Sequence, residues 1–539
     1  MQGGYEMLKM NLFRFSLLAA CILMSISACG GSDSGGTSAP GTTTTISGSV
    51  FAAPVSGASV VIKSAGGTTV AGPVTTAHDG TYSIDIPTGD LNSDLRIESA
   101  GGTYTDEATQ TTTSAGTFAA YVSAGTLTTG SVHIDPFTTI LHELVAKHSM
   151  TFLQARTALS NALGFVPDCS VASSNVPSNS SNTAQRLRAF RAGVLSELVK
   201  ELGLTPDKQA ELIAAIVLDL ADDGLLNGSA GSVNGSSLPE DLQSLYDAAL
   251  VSYLSNTTAN LTGVTSGDIG DLVFAKVALT PTYRVEYVPG MMAPIAGKTQ
   301  FKLKVTYRMT HAAASGLTLS LMPLMHMPGM SHTAPVDAVV EDGANPGTYN
   351  CTVYYLMTSG PMMGFWDLKV AIGSGMSGES ATFHPPVGMG MGDTKKFNLK
   401  GGANDYISSG MSGTSTRTYM LFNDGLVSGM TSTFNLFIAT MESMMNMPPV
   451  SIGTVLSSPV GTVQAGTTSL QASLDTSFSS VVTGSDLGSG HWTIPGISSL
   501  VTGTQNSVYI KWTVNGEVKT SGSGTATVDY ATFSVTPGM

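Results

Sequence analysis

Charge is what this chain has least of. Only 12% of its 539 residues are Asp, Glu, Lys or Arg, about half the share of an ordinary globular protein. The 24 basic residues face 38 acidic ones, a net charge of −14. Nucleic-acid binders draw affinity from Lys and Arg on phosphates, so that class is excluded. A coiled coil needs abundant Ala, Glu, Lys and Leu and is excluded too. Cysteine is scarce, at four, so the chain does not depend on a disulfide scaffold. No Cys-x-x-Cys-His occurs, which removes covalent c-type haem. A Gly-x-Ser-x-Gly elbow, a His-Glu-x-x-His helix and a Walker loop are also missing, so an enzyme ranks last among the functional classes.

What is there points outward. Hydrophobic residues make up 42%, enough for several cores and against wholesale disorder. The length predicts roughly three to four domains. Low charge with much Gly, Ser, Thr and Val predicts β-rich extracytoplasmic modules. The apolar run Phe15 to Ile26, preceded by Lys9 and Arg14, is too short to span a bilayer and fits a signal h-region. It ends in Ile26-Ser27-Ala28-Cys29, followed by Gly30-Gly31-Ser32. This resembles a bacterial lipoprotein lipobox. The resemblance implies cleavage after residue 28 and lipidation of Cys29, with residues 29–45 as a flexible tether. The membrane then becomes a partner through the acyl chains. Gly30 does not resemble the Asp signal for inner-membrane retention, which favours the outer membrane.

Four segments follow. Residues 46–130 read as a β-sandwich, with Tyr82, Ile84 and Ile86 alternating after an Asp79-Gly80 turn. Pro54-Val55-Ser56-Gly57-Ala58 and Asp79-Gly80-Thr81-Tyr82 make this segment similar to carboxypeptidase-regulatory-like or transthyretin-like modules, which implies a spacer without chemistry. Residues 134–275 shift to helical spacing. Asp135-Pro136 predicts a helix start, and Ala189–Leu202, Gln209–Leu220 and Leu242–Leu254 predict further helices. Residues 280–398 and 399–539 return to alternating strands, and Asn515-Gly516 is a strong hairpin signal. The expected fold is multidomain and mainly β, built of immunoglobulin-like sandwiches, with an α-helical insert after the first module.

Methionine carries the chemical preference. Of 26 Met, 20 lie between Met291 and Met447. The densest group runs Met322-Pro323-Leu324-Met325-His326-Met327-Pro328-Gly329-Met330-Ser331-His332. Its prolines and glycine forbid a helix and predict a loop joining strands. If locally extended, Met325 and Met327 point one way and His326 the other. Thioether sulfur is soft and neutral and selects Cu(I) or Ag(I) over hard cations. Met362 and Met363 precede a later strand, and Met441 to Met447 echoes the first group without His. Strand residues such as Met309, Met357 and Met420 read as core filler. His142, Glu143 and His148 lack zincin spacing, and Asp219 to Gly228 lacks the EF-hand spacing.

Met325-His326-Met327-Pro328-Gly329-Met330-Ser331-His332, then Gly347-Thr348-Tyr349, then Gly364-Phe365-Trp366-Asp367-Leu368-Lys369-Val370 together resemble the YtkA-like domain over roughly residues 285–395. The resemblance implies a small extracytoplasmic immunoglobulin-like sandwich associated with copper. The expected ligand set is Met322, Met325, His326, Met327, Met330, His332, Met362 and Met363, with Cu(I) as the ligand. The alternative is a non-catalytic surface lipoprotein whose β modules bind another envelope protein.

Overall fold

The structure is a computed structural model. It describes residues 42–538 apart from 128–129, 176–181, 374–377, 403, 410–412, 460 and 523–526. The signal segment 1–28, Cys29 and the tether as far as residue 41 lie outside the described residues. The fold is mainly β, 41% strand and 18% helix. Among the described residues no helix is long and apolar enough to cross a membrane.

The first strand, Thr43–Ser49, starts inside the expected tether and pairs with Thr81–Pro87. A four-stranded sheet, built from Thr69–Thr75, Ser59–Ser64, Leu95–Ala100 and Thr117–Val122 in that order, faces it. The predicted alternation holds, with Tyr82, Ile84 and Ile86 buried.

Among the described residues six α-helices follow: α1 Pro136–Lys147, α2 Phe152–Leu163, α3 Thr183–Glu201, α4 Gln209–Asp223, α5 Leu242–Ser255 and α6 Ser266–Ile269. Asp135 caps α1 through a reciprocal bond with Thr138, and Pro136 sits at its first turn, as the sequence predicts. The sequence reading missed α2, although Thr151 and Gln154 form a capping box and Gly164 closes it with φ +74°. α3 begins six residues before the expected start, at the Asn182 cap. Helices and first sheet are one body rather than two, because Ile46, Ile97, Phe118, Ile140, Leu159 and Leu195 share a single core. Buried Arg188 locks the seam, pairing with Asp135 at 2.5 Å and donating to the His133 carbonyl at 2.7 Å. Asp219 accepts bonds from the backbone of Asn227, Gly228 and Ala230, so a side-chain cap holds the turn after α4.

The third segment is a sandwich of nine strands among the described residues. They are β1 Val277–Leu279, β2 Tyr283–Pro289, β3 Gly297–Tyr307, β4 Leu319–Met327, β5 Met330–Thr333, β6 Val340–Glu341, β7 Thr348–Tyr355, β8 Phe365–Ile372 and β9 Glu379–Phe383. One sheet runs β1-β2-β3-β7-β6 and the other β5-β4-β8-β9. Their facing residues, among them Val305, Val353, Trp366 and Leu368, form one core. The last sandwich begins with the strand Lys396–Lys400, which straddles the expected boundary at 398. It closes on a hairpin in which Asn515 and Gly516 both have positive φ (52° and 77°), as a type I′ turn requires. Cys169 and Cys351 are both free thiols.

The two sandwiches are bolted together. Tyr354 stacks on Phe437 with centroids 3.9 Å apart, and Met420, Phe422 and Met447 complete an apolar seam. Such a pair adds roughly 0.5–1.5 kcal/mol beyond its area. Beside it, His491 lies between Asp337 at 3.1 Å and Asp424 at 3.2 Å. Bonds to Asp337 and then Asp424 lift the imidazole to about 9. The folded state therefore holds this proton more tightly than the unfolded chain. Its stabilisation is complete below about pH 6.5 and is lost as pH rises through about 9. We predict that His491→Gln lowers the denaturation midpoint at pH 6 and that the gap from wild type narrows by pH 9. A gap that is constant across that range would contradict this linkage.

Candidate functional site

The methionine-rich run is a β-hairpin and not the expected loop. Residues Met322 to Met327 belong to β4 and Met330 to His332 to β5. Met327 pairs with Met330 across Pro328-Gly329. Proline at the first corner and Gly329 at φ +83° supply the chemistry of a type II turn. Pairing with β5 stops at Leu324, so Pro323 lies beyond that ladder, and Thr333 Oγ1 donates to its carbonyl at 2.7 Å.

The pleat then sorts the candidate ligands. Met325 pairs with Trp366 on one side and His332 on the other, and all three share the inner face with Met327 and Met330. Met322 and His326 stand on the outer face. The eleven residues therefore cannot surround one ion. Met325 is fully buried in the core, while Met322 is 53% exposed. Met362, 86% exposed, and Met363 lie in the separate connection between β7 and β8. The Met362 amide there bonds to the Gly267 carbonyl of α6.

On the outer face His326 is already engaged. Its Nε2 contacts Asp367 at 2.7 Å. The other oxygen of Asp367 lies 2.7 Å from His384, whose second nitrogen faces Asp247 of α5 at 3.7 Å. Burial raises the Asp367 carboxyl, but the two imidazoles outweigh it and hold it down to about 2. Burial pulls His384 down, and the two carboxylates outweigh that and lift it to about 9. This alternation of imidazoles and carboxylates is a polar seam joining sandwich to helices. Sequence reading treated His326 as a ligand because its partner carboxylate, Asp367, is 41 residues away.

The inner face holds the unusual geometry. His332 Nδ1 lies 2.8 Å from the Thr333 carbonyl oxygen. A carbonyl only accepts, so Nδ1 carries the ring proton. Burial lowers the pKa of the ring, which is therefore neutral at pH 7. Nε2 is then a bare lone pair, and it faces Met357 Sδ at 3.4 Å. Two lone-pair donors meet with no proton between them. Trp366 Nε1 donates to the Met357 carbonyl at 3.1 Å and fixes that residue in place, and its ring stands edge-on to His332 at 5.3 Å. Met357, read as core filler, does pack half-buried against the core, and it is also the side chain that His332 faces. Met309, read the same way, is exposed, whereas Met420 is in the core.

The topology gathers further thioethers nearby. β7 ends at Tyr355 opposite Gly297, and β8 starts at Phe365 opposite His326, so both mark one end of the sandwich. The turn Met327–Met330 and the connection carrying Met357, Met362 and Met363 all lie there. The echo segment reaches the same place, because the Thr333 amide donates to the Met444 carbonyl at 2.8 Å. Among the described residues no three His, Cys, Asp or Glu side chains converge on a metal position, so sulfur must supply ligands to any metal held here.

No protein-family model matches the chain, and no curated protein matches it. Among solved structures, a run of titin domains aligns with 45% of this chain and 95% of its own length, at 8% identity and a TM-score of 0.11. That score is too low to carry any argument.

The tautomer is directly observable. Long-range ¹H–¹⁵N spectra at pH 7 are expected to show His332 protonated at Nδ1 with an unprotonated Nε2. A protonated Nε2 would turn the Met357 contact into an ordinary N–H···S bond and remove the site.

Proposed function

We propose that this protein is an extracytoplasmic soft-metal binder, anchored to the cell envelope through Cys29, and that it takes Cu(I) for tolerance, sequestration or delivery. The observation that carries the reading is the His332 Nε2 to Met357 Sδ pair at 3.4 Å. An imidazole that donates its other N–H to a backbone carbonyl is the usual state of a metal-ligating histidine. Thioether sulfur gives the soft preference. Met327, half-buried on the same face, is the next ligand, with Met330 at the solvent mouth. His326, Met322 and Met325 drop out of the ligand set, because the first two face away and the third is sealed in the core. The YtkA-like resemblance of residues 285–395 agrees with this role.

A second reading is a non-catalytic surface protein that docks an envelope partner. It is favoured by Met291, Met389 and Met391, each more than four-fifths exposed, where adaptable thioethers suit a contact surface.

The test is anaerobic Cu(I) or Ag(I) titration of the whole mature chain. Met357→Leu keeps volume and removes sulfur, and it is expected to abolish one equivalent of tight binding. Met322→Leu and Met362→Leu are expected to leave that equivalent intact. If Met357→Leu titrates like wild type, the His332 pair is not the site.

A further inference from the structure

The joint between α3, α5 and the ends of α2 and α6 contains a cation that nothing in the chain answers. Arg191 of α3 lines a cavity of about 40 Å³ together with Phe165, Tyr246, Leu250, Asp271 and Leu272. Its guanidinium lies 3.7 Å from the centroid of the Phe165 ring. Stacking of that kind uses the π face and leaves the N–H donors at the edge free. Burial lowers the pKa of the group, yet a guanidinium keeps its charge at ordinary pH. The titratable groups near enough to act on it are Tyr246 and Asp135, and Asp135 belongs to Arg188 at 2.5 Å.

Tyr246 of α5 meets the same space. It is only 3% exposed. Among the described residues neither Tyr246 nor Arg191 forms a hydrogen bond through its side chain. Neither is sealed away, because the polar atoms of both keep accessible surface. Comparable groups nearby are satisfied. Arg188, three residues earlier on α3, donates to Asp135 and to the carbonyls of His133, Asp168 and Val171. Tyr104 donates to Gln209 and Tyr253 to the Ala259 carbonyl.

Buried polar groups without partners are rare in native proteins, because each forfeits its solvation. Two idle donors in one cavity therefore call for an acceptor from outside the chain. The local carboxylates do not supply it. Asp247 spends one oxygen on Gln243 at 3.2 Å, and its other oxygen is closed off beside His384. Asp271 is exposed, and its charge disfavours a doubly charged guest. A single water needs roughly 10–15 Å³, so the space suits an anion of a few heavy atoms. A planar carboxylate matches the fork of a guanidinium, and Leu250 and Leu272 offer a wall for a short alkyl tail.

We propose that this cavity binds a small organic monocarboxylate, whose oxygens accept from the Arg191 guanidinium and the Tyr246 hydroxyl. The site is independent of the soft-metal reading and lies on different elements.

The test is calorimetry on the whole chain with sodium propionate at constant ionic strength. Propionamide serves as a neutral control of the same shape, and sodium sulfate as a doubly charged anion. Saturable propionate binding is expected, with no binding of propionamide and weaker binding of sulfate. Tyr246→Phe removes a hydroxyl that has no partner in the chain. It is expected to weaken propionate binding by roughly tenfold, the loss of one hydrogen bond to a charged group, at an unchanged melting temperature. Arg191→Met keeps an apolar stem against Phe165 and is expected to abolish binding. Absence of propionate binding, equal binding of propionamide, tighter binding of sulfate, or wild-type affinity in either variant would each overturn the proposal. A lower melting temperature for Tyr246→Phe would overturn it too, since the hydroxyl would then serve the fold.

Discussion

The register of one hairpin decides what the third module can do. Strand side chains alternate with a period of two, so a slip of one residue would exchange every inner and outer position. The Pro328-Gly329 turn and the pairing of Met325 with both Trp366 and His332 forbid that slip. In this register His332 faces Met357 inside the sandwich, and His326 faces Asp367 outside it. Two histidines six residues apart thus serve opposite purposes. One joins a network of imidazoles and carboxylates that ties the sandwich to α5. The other offers a bare nitrogen beside a thioether.

Both roles depend on what surrounds the rings. His384 gains its proton because Asp247 and Asp367 flank it, while His332 stays neutral because burial, aided by the charge of Lys396, outweighs the pull of the Thr333 carbonyl. The same logic holds between the sandwiches, where His491 sits between two carboxylates while Tyr354 and Phe437 exclude water alongside. At these two places buried polarity marks a joint between units.

Much of the architecture was legible in the sequence, because local rules dominate it. The Tyr82-Ile84-Ile86 alternation, the Asp135-Pro136 helix start and the Asn515-Gly516 turn each carry their signal within a few residues. α2 also announced itself through Thr151, Gln154 and Gly164, but its short apolar face gave weak periodicity. The hairpin was misread because Pro323, Pro328 and Gly329, which forbid a helix, were taken to mean a loop, whereas Pro323 lies past the end of the short strand β5 and stands opposite Leu368 of β8. The candidate site was half legible. Composition located the sulfur and the alternation rule separated His326 from Met325. Met357 was missed because it is 25 residues from His332, and only packing against Trp366 brings it there.

The bond from the Thr333 amide to the Met444 carbonyl has a consequence for the integrity of the whole chain. β5 is the outermost strand of its sheet, and an outermost strand with free amides is a template on which another chain can add. The echo segment of the last sandwich takes up one amide of that margin, at Thr333. This gives the last sandwich a protective use at that one position even if it holds no ligand.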